Sequence, residues 1–357
     1  MRFGFTFILV FLSQTIFAFP QNVRAGYANC VTCHQSPTGG GILTSYGRKL
    51  SADWMSAWGR ENEDEFLYGS VSLPQWLNMG GDIRALQLYQ NRASRESAEF
   101  IFMQADVEAA ASIGKVTVDA TAGVTPQGNP LSRRHFLQYQ PTEELSFRVG
   151  RFLPAVGINT ENHSVAVKRG VGRDQGTETY NVEAAWIDQN FDVFITGILG
   201  RPDSLNLGAE MGGALSSSIF LGNRHKIGAS YVVLTRNVGY RNLAGPFFIL
   251  GLGKKFFLMV DTAFTWFKPQ LGAVQSGFAD TVRFNFEMSQ GVHFYLSQEF
   301  FQNNFQDTAS RMEAYGVGFQ FFPRPHLELN TQFLKQRYGG TSSSFADYAY
   351  AMLHFYL

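Results

Sequence analysis

Only two cysteines occur in 357 residues, and they stand three apart with a histidine directly after the second: Cys30-Val31-Thr32-Cys33-His34. Cys-x-x-Cys-His is the attachment pattern for c-type haem. Each thiol can form a thioether to one vinyl group of the macrocycle, and the adjacent imidazole can ligate the iron from the proximal side. His34 is therefore the expected proximal ligand, with Cys30 and Cys33 the expected covalent anchors of one haem c. A local disulfide is the plainer use of the two cysteines, but it gives no reason for His34 to follow. A thioredoxin-type redox pair would need a βαβ context that the chain lacks.

The distal side of such a haem is more open. Met55 lies on a proposed helical segment, Leu50 to Arg60, where a thioether would raise the potential relative to a second histidine; its plain use is core packing against Trp54 or Trp58. His163, within Asn159-Thr160-Glu161-Asn162-His163-Ser164, is the other candidate. An open or water-filled distal position competes with both. No nucleotide-binding glycine loop, nucleophile elbow or zinc motif is found, and no enzyme activity is assigned; a haem bound at the motif would make the protein a redox carrier. Gly39-Gly40-Gly41 reads as a flexible turn beside the motif.

Such chemistry requires an exported chain. Residues 1–18 read as a secretory signal peptide, with Arg2, an apolar stretch to Phe17 and a small residue, Ala18. Formal net charge is zero and the pI is near neutral, which leaves no basic face for nucleic acid. Charged residues make up only 16%, while aromatics reach 15% and include 34 phenylalanines. Such a chain is short of charge for a soluble domain, in which about 25% is usual. No later stretch reaches the ~18 apolar residues of a membrane helix.

Residues 19–76 lack alternation and are rich in turn formers, as expected of a small, mostly irregular or helical haem-binding segment. From Leu77 to Leu357 the pattern becomes period two. Val282, Phe284, Phe286 and Met288 share one face against Arg283, Asn285 and Glu287; Val116, Val118, Ala120 and Ala122 oppose Thr117, Asp119 and Thr121. A soluble sandwich and a transmembrane barrel both produce this pattern, with opposite faces outward. Three features favour the membrane: aromatics at segment ends (Trp186, Trp266-Phe267, Phe321-Phe322, Tyr338), segments of about 9 to 13 residues, and a last strand whose apolar face (Ala349, Ala351, Leu353, Phe355, Leu357) runs to the final residue. This ending resembles the C-terminal signal of bacterial outer-membrane barrels, with leucine in place of the usual phenylalanine. The expected fold is an all-β, transmembrane antiparallel β-barrel of about sixteen strands, with fourteen the alternative, over residues 77–357. Asp119, Arg148, Glu183, Asp261, Arg283 and Glu287 would face the lumen. The longest gap, Leu153 to Gly176, carries Lys168, Arg169 and Arg173; it would either enter the lumen as a cationic constriction or remain a surface loop.

Gly26-Tyr27-Ala28-Asn29-Cys30-Val31-Thr32-Cys33-His34-Gln35-Ser36-Pro37-Thr38-Gly39-Gly40-Gly41, followed by Tyr46-Gly47-Arg48, resembles the N-terminal monohaem segment of uncharacterised porin-like outer-membrane proteins of Gram-negative bacteria. Gly150-Arg151-Phe152-Leu153-Pro154, Gly157, His163 and Gly176-Thr177-Glu178-Thr179-Tyr180-Asn181 resemble the same group. The resemblance implies an outer-membrane location, covalent haem c and electron transfer at or across the membrane. It also resembles, more broadly, porin–cytochrome conduits. One haem cannot carry electrons across a ~25 Å apolar band, so periplasmic or outer-membrane cytochromes are the expected partners beside the lipid bilayer. The alternatives are a diffusion or substrate-specific porin with a structural or gating N-terminal plug, and haem-based gas sensing or catalysis.

Overall fold

A computed structural model describes residues 20–357 except 28, 61, 93–94, 161, 163, 202–209, 223 and 340–343. The expected signal peptide (1–18) and His163 lie outside the described residues.

Sixteen antiparallel strands form a closed barrel. The first eight are β1 (Leu77–Arg92), β2 (Arg95–Ile113), β3 (Val116–Val124), β4 (His135–Tyr139), β5 (Leu145–Phe152), β6 (Thr179–Ile187), β7 (Phe191–Gly200) and β8 (Met211–Leu221). The remaining eight are β9 (His225–Arg236), β10 (Gly239–Gly251), β11 (Phe256–Pro269), β12 (Gln275–Ser289), β13 (Val292–Gln302), β14 (Met312–Phe321), β15 (Leu327–Tyr338) and β16 (Ala346–Tyr356). Each pairs with its sequence neighbours, and β16 returns to β1 with Asp82 opposite Tyr356 and Asn91 opposite Asp347. A two-residue segment, Pro130–Leu131, adds to the end of β3. Closure gives every strand a paired neighbour on each side, as a lipid environment requires, and the outer half of β2, residues 95–104, extends beyond β3 with β1 as its one strand partner among the described residues.

The faces are inverted relative to a soluble sandwich. Val107, Val118, Ile195, Leu296, Tyr315 and Val317 are exposed, while their strand neighbours Glu108, Asp119 and Thr196 are buried. Apolar residues thus face outward and polar residues line the lumen, as a bilayer requires. The expected lumenal set behaves accordingly: Asp119, Arg148, Glu183, Asp261 and Arg283 are all buried, and Glu287 ion-pairs inside with Arg24. Trp186 and Tyr338 are exposed at strand ends, as interfacial aromatics should be. Phe322 departs from that expectation: it is fully buried and turned inward against Met55 and Tyr356.

One sector of the inner wall breaks the alternation. Ile198, Val232, Leu234, Leu243, Phe247 and Ile249 point inward and are buried. They are covered from within by residues 20–25 and by the connection between β5 and β6. That 153–178 connection folds into the lumen, so the surface-loop alternative does not hold. Val165, Val167 and Val171 pack on Ile198, Val232, Leu234 and Leu243. The loop is fastened to the wall by Gly157 N donating to Ser230 Oγ (2.9 Å), Ile158 N to Asp261 Oδ2 (2.9 Å) and Ala166 N to Glu299 Oε2 (2.8 Å).

Val317→Arg tests which face meets lipid. A charge at the middle of an outward face should lower the unfolding free energy in phospholipid vesicles by about 2–4 kcal/mol, measured in urea; an unchanged midpoint would contradict the outward assignment.

Candidate functional site

The N-terminal segment is built into the barrel. A 3-10 turn, Pro20–Ala25, seats Val23 among Phe247, Ile249, Phe257 and Met259. Arg24 pairs with Glu287 and lies 5.7 Å from the ring centres of both Trp54 and Phe257. Further along, Ala57 N donates to Phe322 O (2.8 Å) and Trp58 N to Pro323 O (3.1 Å), where the chain leaves the lumen over the barrel rim.

Between these anchors, Cys30 to His34 form one tight turn, with Cys33 N and His34 N both donating to Cys30 O (3.2 and 2.9 Å). His34 forms a bridge with Leu43, and Gln35 N donates to Ile42 O (3.0 Å), so residues 36–41 are a closed excursion. Gly39, Gly40 and Gly41 take φ of 78°, 73° and 68°, a left-handed run that glycine accepts without strain. A Cβ on Gly41 would strike the bidentate Arg134–Glu108 pair, so the turn is closely packed at that residue. Helix α1 (Ser45–Leu50) starts at Thr44, whose hydroxyl accepts from Gly47 N (3.0 Å). A Cβ on Gly47 would collide with the Cys33 carbonyl, so glycine is what lets α1 press on the motif. This helix precedes the expected Leu50–Arg60 element, of which only a wide turn, Ser51–Met55, is helical.

The wall holds the turn through Arg148. Its guanidinium pairs with Glu183 (2.7 Å), donates to Ser36 Oγ (3.0 Å) and Thr38 Oγ1 (3.2 Å), and lies 3.8 Å from the Phe152 ring centre. From the inward loop, Asn159 Nδ2 donates to Thr38 O (2.8 Å).

Cys30 and His34 line a lumenal cavity of ≈ 240 Å³, shared with Tyr27, the 152–160 stretch of the inward loop, Lys168 and Arg173. Both thiols are unbridged, Cys33 buried and Cys30 half-buried. Burial pushes the Cys30 thiol pKa up. Burial also lowers His34 to about 4, so its imidazole is neutral at physiological pH, and its Nδ1 is enclosed without a hydrogen-bond partner. Two cysteines outside any disulfide, a neutral imidazole whose Nδ1 has no hydrogen-bond partner and an adjoining cavity fit the donor set that a covalent haem needs. Met55 lies elsewhere, packed with Leu43, Phe322 and Tyr356, and does not line this cavity. Among the described residues, no group of three or more His, Cys, Asp or Glu could hold a metal ion by itself.

Several residues that shape the site carry no motif. Arg148, Arg134 and Asn159 could have been suspected only from lumenal polarity. The inward-packing sector did leave a trace, since Val232, Val233 and Leu234 are apolar on both faces.

His326 closes the segment against the rim. Its N–H donates to Ser51 Oγ (3.2 Å), its carbonyl accepts from Tyr356 N (3.0 Å), and its ring Nε2 contacts Glu63 O (3.1 Å). The charged neighbours acting on the ring are Arg48, Glu63 and Asp64, and burial lowers its pKa from 6.5 to about 4. The docked state therefore holds neutral histidine, and release takes up a proton. Docking should be fully present above pH ~6.5 and lost as pH falls toward ~4, by up to about 3 kcal/mol. If the segment obstructs the lumen, unitary conductance should rise across that window, and His326→Gln should flatten the profile.

No protein-family profile matches the sequence, and comparison with curated protein sequences finds no relative. Solved structures do resemble the fold. Outer-membrane OmpT of Vibrio cholerae superposes with a TM-score of 0.63 at 11% identity, covering 81% of this chain and 100% of its own. The outer membrane channel DcaP of Acinetobacter baumannii gives 0.59 at 9% identity, covering 79% and 97%. An anion-selective porin from Comamonas acidovorans gives 0.58 at 11% identity, covering 79% and 99%. At these identities the likeness concerns the fold: a porin-like outer-membrane barrel.

Proposed function

We propose that this protein is an outer-membrane channel of the porin type, narrowed from within by its own N-terminal segment and inward loop. The observation that carries this is the seating of residues 20–56 inside the lumen with a cavity left between segment and loop. A sixteen-strand barrel without such a filling would leave a broad aqueous bore. Here solute must pass between the haem-motif turn and the 152–160 stretch. Full-length protein in planar bilayers should show small unitary conductance. Removing the lumenal anchors in Arg24→Met/Arg148→Met should raise it at least about twofold by freeing the segment from the buried Arg24–Glu287 ion pair and from the Arg148 hydrogen bonds to Ser36 and Thr38. Wild-type conductance equal to that of an unobstructed porin would sink the proposal.

A second role is favoured by the unbridged thiols and the orphaned His34 nitrogen. On this reading Cys30, Cys33 and His34 hold one haem c, and the protein serves as a carrier, with periplasmic or outer-membrane cytochromes as partners. A bound haem would supply one-electron exchange between ferrous and ferric iron. The chain's own residues fix the motif turn through Arg148 and Asn159, exclude bulk water with the inward loop, and keep His34 unprotonated. Pyridine-haemochrome spectra of protein matured in a cytochrome c-competent periplasm should show thioether-bound haem in the wild type and none in Cys30→Ser/Cys33→Ser. A wild type without that signal would remove the redox role and leave the channel.

A further inference from the structure

Four of the five Lys and Arg side chains lining the cavity have a carboxylate partner: Arg84 with Asp82 (2.9 Å), Arg134 with Glu108 (2.6 Å), Lys168 with Asp261 (3.8 Å) and Lys226 with Asp192 (2.8 Å). The fifth, Arg173 on the inward loop, forms no direct ion pair among the described residues. The charges acting on it are Arg241 and Glu210. Glu210 is already shared by two arginines, pairing with Arg241 Nη2 (2.8 Å) and with Arg236 Nε. One carboxylate thus faces three guanidinium groups; Arg173 is the member of this cluster that lines the cavity, with Asp174 the carboxylate beside it there, so positive charge is in excess where the cluster meets the passage. The arrangement is held in place: Arg241 Nη1 donates to Val171 O (2.7 Å), and Arg173 N donates to Lys168 O (2.8 Å). Burial and the neighbouring Arg241 lower Arg173 to about 10, which leaves it charged at physiological pH.

We propose that Arg173, with Arg241 and Arg236 around Glu210, forms an oxyanion-binding site that makes the lumen prefer small anions. Guanidinium forks match carboxylate and phosphate oxygens in charge and geometry, and a cationic constriction with low-dielectric walls concentrates anions. The inference rests on the channel reading and names the class of solute. The same chemistry could come from a propionate of a haem held at Cys30 and Cys33.

The test is the reversal potential of full-length protein in planar bilayers across a KCl gradient, followed by addition of inorganic phosphate. Wild type should pass chloride in preference to potassium and lose current to phosphate. Arg173→Gln should lower the chloride-to-potassium permeability ratio at least about twofold and weaken the phosphate effect, Arg173→Lys should keep most of both, and Arg236→Gln should act in the same direction. Heat-modifiable mobility on gels confirms that each variant is folded. A potassium-preferring wild type, or Arg173→Gln with unchanged selectivity, overturns the site while leaving the channel intact. Absence of any conductance overturns the channel reading itself. In Cys30→Ser/Cys33→Ser, unchanged anion preference assigns the site to a solute, and a stronger preference assigns it to a displaced propionate.

Discussion

A strand that crosses a bilayer must turn its apolar side chains outward, and everything inside this barrel follows from that constraint. The lumen inherits the polar residues of all sixteen strands. Any chain lodged there must satisfy them, because an unpaired buried charge costs several kcal/mol. Arg148 shows how this is met. Its pairing with Glu183 would neutralise the wall by itself, but the remaining N–H groups also hold Ser36 and Thr38. Wall and segment therefore complete one another's hydrogen bonding, and Thr196 supplies the other oxygen of Glu183 with a donor (2.8 Å).

The lumen is divided in character. On one side the inner wall is polar and carries networks such as Gln320–Glu328–His354–Asp82. On the other side, β7 to β12 contribute apolar residues to both faces, and there the 3-10 turn at 20–25 and the inward loop find their core. The plug is thus held by hydrophobic burial on one side and charged hydrogen bonds on the other. That division fixes its orientation, since turning it over would set Val23 against the polar wall and part Ser36 and Thr38 from Arg148.

Much of the barrel was legible in the sequence because period-two alternation is imposed residue by residue. Val116 to Val124 and Thr281 to Ser289 alternate as the structure alternates. The direction of the 153–178 connection was not legible, because a loop's own residues do not say which surface it will meet. The stronger signal lay in the wall: Val232, Val233 and Leu234 are apolar in succession, as a strand covered on both faces must be. The misplaced helix has a local cause. Thr44 caps a helix whose third residue, Gly47, touches Cys33, and tertiary contact with the motif outweighs the helix-forming character of Leu50 to Arg60. Met55 was sound as a packing residue, and its contacts with Phe322 and Tyr356 depend on a rim that no local pattern reveals.

Fewer than 60 residues cannot build much of a core of their own, and the Cys-x-x-Cys-His segment does not attempt it. Tyr27 and Cys33 pack with Leu50, and Met55 with Leu43 and Trp54, but the barrel completes both ends: Phe247, Ile249 and Phe257 beneath Val23, Phe322 and Tyr356 beneath Met55. The conformation of the motif is therefore conditional on barrel closure, and the burial that keeps His34 neutral is a property of the closed barrel. Attachment chemistry at Cys30 and Cys33 needs both thiols accessible, whereas the finished structure buries Cys33. Covalent modification would accordingly have to precede the seating of the segment. A chain assembled in that order reaches the membrane with its motif already committed, and the barrel then closes around whatever the motif carries.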